Sequence, residues 1–325
     1  MSGVPQPSTD AATVATRLAH CPTHAETPLV KVAGLADVAT LWVKDERGRM
    51  GLGSFKALGA AYVIARDAED GAAKGRTYVT ASAGNHGMSV AAGARVFAAN
   101  SVVYIAQTVP EVFAKRLQAE GARVVLAGAN YAESMAAAAA AADQNGWTLL
   151  SDSSWAGYTT IPHRLMEGYV QMAAEAVAQV DAIPTHIFLQ AGVGGLAGAV
   201  AAYARKIWGD APRIVVVEPE AAPALMESAR AGRAVVTSGP DSNMGRLDCK
   251  EPSLIALNGL ARDADDFVTI SDAAAEASMP VLAQAGLATT PSGGAGIVAV
   301  MEAGAALGLS PDARVLCILS EEPAR

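Results

Sequence analysis

Residues 185–204 read THIFLQAGVGGLAGAVAAYA. The run at 185–191 is continuously apolar rather than alternating, the pattern of a strand covered by helices on both faces. A glycine-rich turn follows, and then a helix of small residues. Strand, turn and helix in that order make one α/β unit. SVVYIAQ at 101–107, RIVVVE at 213–218 and RVLCILS at 314–320 are runs of the same kind, each next to a helical pattern. Further strands are expected at 40–44, 77–81, 122–126, 147–150 and 266–270. Helices are expected at 84–99, 110–120, 130–145, 161–181, 194–208, 271–286 and 291–308. Repeated strand–helix alternation implies parallel sheet, hence an α/β fold.

The glycine turn also bears on function. Backbone N–H groups at Gly192, Val193, Gly194, Gly195 and Leu196 can approach an anion closely, and the helix that follows adds favourable potential, so the turn is a phosphate cradle in physical terms. Residues 192–197 equally match G-x-G-x-x-A, with Glu218 closing the next strand, the pattern of a dinucleotide site. Tight packing without any ligand would need the same glycines. The turn alone leaves all three readings open.

Composition narrows the choice. At 325 residues the chain suits two domains around a large core. The net charge of −8 argues against nucleic-acid and anionic-membrane partners. No apolar run is long enough to span a membrane, and the N-terminus does not resemble a signal peptide. Cys21, Cys249 and Cys317 form no C-x-x-C, so neither a disulfide framework nor a structural zinc is expected, and a cytoplasmic location is. Scattered histidines signal no metal site.

Four other stretches carry chemistry. GLGSFKALGAAYVIA (51–65) begins a helix with Ser54 as its expected N-cap, yet Lys56 sits in the first turn, where the helix dipole disfavours a cation. Nothing from Ala57 to Ala65 offers it a carboxylate. A lysine in a dry, electropositive setting has a depressed pKa and is nucleophilic, as a Schiff base with an aldehyde cofactor requires. VTASAGNHGMSVAAGA (79–94) presents Ser82 and the amides of Gly84, Asn85 and His86 at a helix start, suited to a carboxylate; a helix-start residue that merely packs is the simpler reading of each. SDSSWAGYTTIPHRLMEGY (151–169) places Asp152 after a strand, either as a turn residue or as an acid/base group in a cleft. RVLCILSEE (314–322) delivers Ser320 at the strand edge where parallel sheets bind ligands.

Taken in order, S-F-K, S-x-G-N-H-G, the glycine turn and the strand-end serine resemble the pyridoxal-phosphate enzymes of the tryptophan-synthase β type (fold type II). The likeness covers nearly the whole chain. Two stretches, 151–169 and NMGRLDCKEPS at 243–253, resemble the diaminopropionate ammonia-lyase family, whose pattern is G-L-x-C-x-E-P. The resemblance implies a two-domain molecule, each domain a mostly parallel twisted sheet flanked by helices. Residues 1–52 and 160–325 would form the larger, cofactor-binding domain and 53–159 a smaller inserted one. It implies pyridoxal 5'-phosphate as cofactor and a homodimer. Lys56 would carry the cofactor as a Schiff base and take the substrate α-proton. Asn85 would bind the cofactor 3'-oxygen, residues Gly192 to Leu196 its phosphate, and Ser320 its pyridine nitrogen. Ser82, Gly84, Asn85 and His86 would grip the α-carboxylate, and Asp152 would serve as acid/base.

The implied reaction is α,β-elimination from a small L-amino acid to a 2-oxo acid and ammonia. The substrate is 2,3-diaminopropionate or, alternatively, serine, threonine or 3-hydroxyaspartate. Ala83 stands where the ammonia-lyases have Asp and serine racemases have Ser, so racemisation and D-substrate turnover are not expected. Arg246 replaces a small residue; a solvent-facing loop arginine is its simpler reading, and a partner for a substrate side-chain carboxylate the sharper one. Glu218 has only Ala224 where serine racemase completes a metal pair, so no divalent cation is expected. An NAD-dependent dehydrogenase accounts for residues 192–197 and Glu218 but leaves Lys56, Asn85 and Ser320 idle. A non-catalytic sensor has no use for Lys56.

Overall fold

The computed structural model describes residues 3–323. A short helix, α1 (Ala11–Leu18), precedes β1 (Leu29–Val32) and β2 (Thr40–Asp45); a 3-10 turn, Glu46–Gly51, then leads to α2 (Lys56–Glu69). Next come β3 (Thr77–Ala81), α3 (Asn85–Val96), β4 (Asn100–Ile105), α4 (Glu111–Ala119), β5 (Arg123–Leu126), α5 (Tyr131–Asn145) and β6 (Thr148–Leu149). The long α6 (Thr160–Gln179) returns the chain to β7 (His186–Gln190), α7 (Gly195–Trp208), β8 (Arg213–Pro219) and α8 (Ala224–Ala231). The last elements are α9 (Leu254–Asp263), β9 (Asp266–Ile270), α10 (Asp272–Gln284), α11 (Pro291–Ala303) and β10 (Arg314–Leu319).

Two sheets result. One has the order β1-β2-β10-β7-β8-β9, parallel except for β1, which runs antiparallel along β2 at the edge. The other, β5-β4-β3-β6, is parallel throughout. The α/β architecture is therefore as expected. Four elements were not anticipated. β1 is four residues at an exposed edge, α1 and α8 have eight residues each, and α9 follows a long irregular stretch.

The alanine- and glycine-rich composition is used where helices cross. At Gly168 of α6 a side chain would lie 2.6 Å from the Leu58 carbonyl and 3.1 Å from Gly59 Cα of α2. That approach seats α2, and so Lys56, on α6. The chain entering α2 also runs beside the end of β10: Phe55 N–H donates to the Ser320 carbonyl (3.2 Å) and Glu322 N–H to the Gly53 carbonyl (2.8 Å). Lys56 thus follows directly from a crossing with the strand end that carries Ser320. Behind it, Arg49 is fully buried, with guanidinium hydrogen bonds to Glu46 (2.7 and 2.8 Å) and Glu175 (2.6 and 3.0 Å), and Lys44 pairs with Glu175 at 2.7 Å. Two cations and two anions cancel there, tying β2, the 3-10 turn and α6 together.

Candidate active site

Lys56 opens α2, one residue later than a Ser54 N-cap implies. Phe55 is the flanking residue, and the Ser54 hydroxyl accepts the Lys56 N–H at 3.4 Å. The missing carboxylate comes from far along the chain: Lys56 Nζ meets Asp152 Oδ2 at 2.5 Å. This overturns the expected depressed lysine. Burial is the largest single influence and pushes its pKa down, but the charge and hydrogen bond of Asp152, with Tyr169 and Cys249, together hold Lys56 above the ordinary lysine range. Burial likewise raises Asp152, and the Lys56 ammonium more than reverses this, leaving the carboxyl below the usual range. Without cofactor, the pair is ammonium and carboxylate. The Phe55 and Tyr169 rings flank Nζ, with centroids at 5.3 and 6.0 Å.

The 82–86 turn lies between β3 and α3. Gly84 N–H donates to Ser82 Oγ (3.3 Å), and Gly84 is the N-cap of α3 without any side-chain cap of its own, so the first amides of the helix face the cleft. His86 is buried; its Nε2 donates to the Leu150 carbonyl (2.9 Å), while Nδ1 has no partner among the described residues. Burial keeps its pKa below the ordinary imidazole value, so the ring is neutral. Ala83 packs on the Val103–Leu117 side of the smaller sheet.

The glycine turn packs under the 243–249 loop. A side chain at Gly192 would lie 3.0 Å from the Arg246 carbonyl and from Cys249 Sγ, and Gly194, at φ +95°, would meet Ala256 and Leu225 at 2.9 Å. The first intrahelical bond of α7 runs from Gly198 N–H to the Gly194 carbonyl (2.8 Å), with no side-chain cap. The amides of Gly195, Leu196 and the residue after them are therefore left for an anion. Beside the turn, the Tyr169 ring lies close to both Lys56 and Gly195, and its buried hydroxyl has Lys56 as a polar neighbour without a hydrogen bond of regular geometry among the described residues. An amine, a buried phenol and an uncapped glycine helix start gathered around Tyr169 suit an aldehyde-bearing phosphate ester. Glu218, the dinucleotide candidate, is spent elsewhere: its two oxygens accept the Leu225 and Met226 N–H groups of α8 at 2.8 Å each.

Ser320 follows directly on the C-terminal end of β10, buried, with its carbonyl accepting the Phe55 amide. The sequence reading missed its neighbour. Glu321 is buried and accepts from Asn85 Nδ2 and Thr290 Oγ1, and it pairs with Arg246 Nε at 2.8 Å. Burial raises its pKa, with Arg246 the strongest opposing influence. Arg246 is thus a solvent-facing loop residue, its side chain 37% exposed, that also reaches the buried Glu321. Asp248 instead pairs with Lys250 at 2.5 Å. Cys249 also faces the site; burial and Asp152 push its thiol up to about 12. Among the described residues no cluster of three or more His, Cys, Asp or Glu is arranged to hold a metal.

Known proteins resemble the chain in sequence and in fold. A family model described as pyridoxal-phosphate dependent enzyme matches residues 21–321. The chain is 32% identical to a diaminopropionate ammonia-lyase of Salmonella typhimurium over 293 residues, 81% of this chain and 72% of that one. It is 30% identical to L-serine dehydratase/L-threonine deaminase of Bos taurus over 222 residues, 66% and 63% of the two chains. Among solved structures, Escherichia coli diaminopropionate ammonia lyase in complex with an aminoacrylate-PLP azomethine reaction intermediate superposes with a TM-score of 0.87 at 30% identity, covering 97% of this chain and 89% of that one.

Proposed function

The chain belongs to the pyridoxal-phosphate-dependent enzyme family, and on that premise we propose that it is an ammonia-lyase acting by α,β-elimination on a small L-amino acid, 2,3-diaminopropionate or a close analogue. When bound, pyridoxal 5'-phosphate supplies the electron sink for loss of the α-proton. The rest falls to the protein. The amides of residues 192–196 hold the phosphate at the start of α7, and Asn85 and Ser320 orient the ring edge. Ser82 and the amides of Gly84, Asn85 and His86 take the α-carboxylate at the start of α3. Lys56 anchors the cofactor and, once released, accepts the α-proton on Nζ. Asp152 meets the substrate's β-group. The net reaction removes the α-proton and the β-substituent and, with water, gives a 2-oxo acid and ammonia, two molecules of ammonia where the β-substituent is itself an amine.

The observation that carries the substrate reading is the Lys56–Asp152 pair. Once Lys56 is covalently engaged, Asp152 keeps no ammonium beside it, and the β-ammonium of 2,3-diaminopropionate is the matching cation. The Arg246–Glu321 pair favours a second reading, a 3-hydroxyaspartate dehydratase, because it brings a guanidinium next to Asn85. We further place the protein in the cytoplasm as a homodimer. Its free cysteines and acidic balance support the location, as does the lack of any described helix long and apolar enough to cross a membrane.

The test is the visible spectrum of the loaded protein with an ammonia assay. Wild type should show a violet-region band that borohydride abolishes and that Lys56→Ala lacks. Ammonia should be released fastest from L-2,3-diaminopropionate in a panel with L-serine, L-threonine and 3-hydroxyaspartate. A protein that stays colourless in excess pyridoxal phosphate defeats the proposal.

A further inference from the structure

The loop between β6 and α6 that carries Asp152 is pinned on both sides by parts of the chain remote in sequence. Two residues before Asp152, the Leu150 carbonyl accepts His86 Nε2–H at 2.9 Å. Two residues after it, Ser154 makes contacts with the start of α9 through every polar atom it has. Its N–H donates to Ser253 Oγ (3.1 Å), its carbonyl accepts Leu254 N–H (3.0 Å), its hydroxyl accepts Ile255 N–H (2.9 Å), and the two serine hydroxyls lie 2.7 Å apart. Both serines are buried, at 2% and 0% exposure.

This is an unusual way to start a helix. Ser253 stands at the N-cap of α9, where a serine ordinarily uses its own oxygen on the first amides. Here it makes no side-chain cap bond to its helix. Ser154, 101 residues from Ile255, caps the helix in its place, and the Ser253 hydroxyl is turned onto the Asp152 loop. Ser253 N–H in turn donates to the Val193 carbonyl of the glycine turn (3.0 Å). A continuous line of hydrogen bonds therefore runs from the cradle to within two residues of Asp152. It also joins stretches 151–169 and 243–253.

We propose that Ser253 and Ser154 are positioning residues that hold the Asp152 carboxylate over Lys56. The proposal rests on the reading of Asp152 as the group that meets the substrate, and the test separates the two. Turnover of L-2,3-diaminopropionate by the loaded enzyme is measured for Ser253→Ala, Asp152→Asn and the double variant, alongside cofactor affinity by absorbance titration. Ser253→Ala should lower kcat roughly 10- to 100-fold through misplacement of the carboxylate. KM and cofactor affinity should stay within about threefold. Ser253→Thr, which keeps the hydroxyl, should recover most of the loss. In the Asp152→Asn background Ser253→Ala should cost nothing more. Losses that add in that background, or KM and cofactor affinity failing in step with kcat, overturn the proposal. If Asp152→Asn is crippled while Ser253→Ala turns over normally, positioning alone is refuted; if Asp152→Asn keeps wild-type kcat, both readings fall. Should Ser253→Ala not fold, Ser154→Ala, which leaves Ser253 in place, is read in the same way.

Discussion

Lys56 is a cation placed at the positive end of its own helix, and its partner Asp152 lies 96 residues away. Local sequence reasoning sees the misfit but not its resolution, because the carboxylate arrives through tertiary structure. The inverted pKa has the same origin: the charge and hydrogen bond of Asp152 at 2.5 Å, together with Tyr169 and Cys249, outweigh desolvation. Arg246 follows similar logic. Its helix-free stretch reads as solvent-facing, and it is, but the partner it finds there, the buried Glu321, comes from a distant part of the chain. This pair decides between substrates. If the substrate side chain carries a carboxylate, Arg246→Ala should lower kcat/KM for 3-hydroxyaspartate about 10- to 100-fold more than for 2,3-diaminopropionate, the scale of a lost charge-assisted hydrogen bond. Equal changes for both substrates remove the 3-hydroxyaspartate reading.

At the scale of elements, the strands that build the sheets were legible because they are covered on both faces and so read as unbroken apolar runs. Strand β1, LVKV, has no such signal; its residues are half-exposed at an edge, and only pairing with β2 defines it. Helix α9 was hidden because its start is capped from another segment. The buried ionic cluster behind Lys56 was equally invisible, since Lys44, Glu46, Arg49 and Glu175 each look like surface residues until β2 and α6 meet. Glu175 is the member to test. Burial raises its pKa, but Arg49 and Lys44 outweigh this and bring it from 4.5 down to about 2. A depressed carboxylate stabilises the fold fully above its unfolded pKa and loses that contribution as pH falls through the folded value. The window here is about pH 4.5 to 2, and the contribution on the order of 3 kcal/mol. Glu175→Gln should therefore destabilise the protein by roughly 3–5 kcal/mol near neutrality, as removal of one partner of a buried pair does. Urea midpoints of wild type and variant should converge as pH falls towards that window. A constant difference across pH would show that Glu175 acts by packing rather than by charge.

On the proposed assignment, the site residues of the molecule lie on the seam between the two sheets. Lys56, the 82–86 turn and Asp152 come from the chain around the four-stranded sheet, whereas the cradle, Ser320 and Glu321 come from the six-stranded one. We propose, as the sequence reading has it, that residues 53–159 form the smaller domain. Within the protein the seam is held near the site by the hydrogen bonds Phe55 to Ser320, Glu322 to Gly53 and Asn85 to Glu321, by the Ser154–Ser253 clasp, and by the packing of α2 on α6, where the Phe55 and Tyr169 ring centroids lie 4.9 Å apart. A cofactor gripped by the α7 amides at one end and by Lys56 at the other adds a bridge across that seam. Binding to the folded state alone stabilises by RT ln(1 + [L]/Kd), about 4 kcal/mol at a thousandfold excess over Kd. For a chain of this size that corresponds to a rise in Tm of several degrees, at about 2 °C per kcal/mol. Lys56→Ala retains the phosphate cradle but loses the tie to α2, so pyridoxal phosphate should raise its Tm by clearly less than it raises that of wild type. Inorganic phosphate, which occupies only one side, should give a small and equal rise in both. If the cofactor raises the two proteins' Tm by the same amount, Lys56 does not join the domains through it, and the seam is closed by the protein's own contacts.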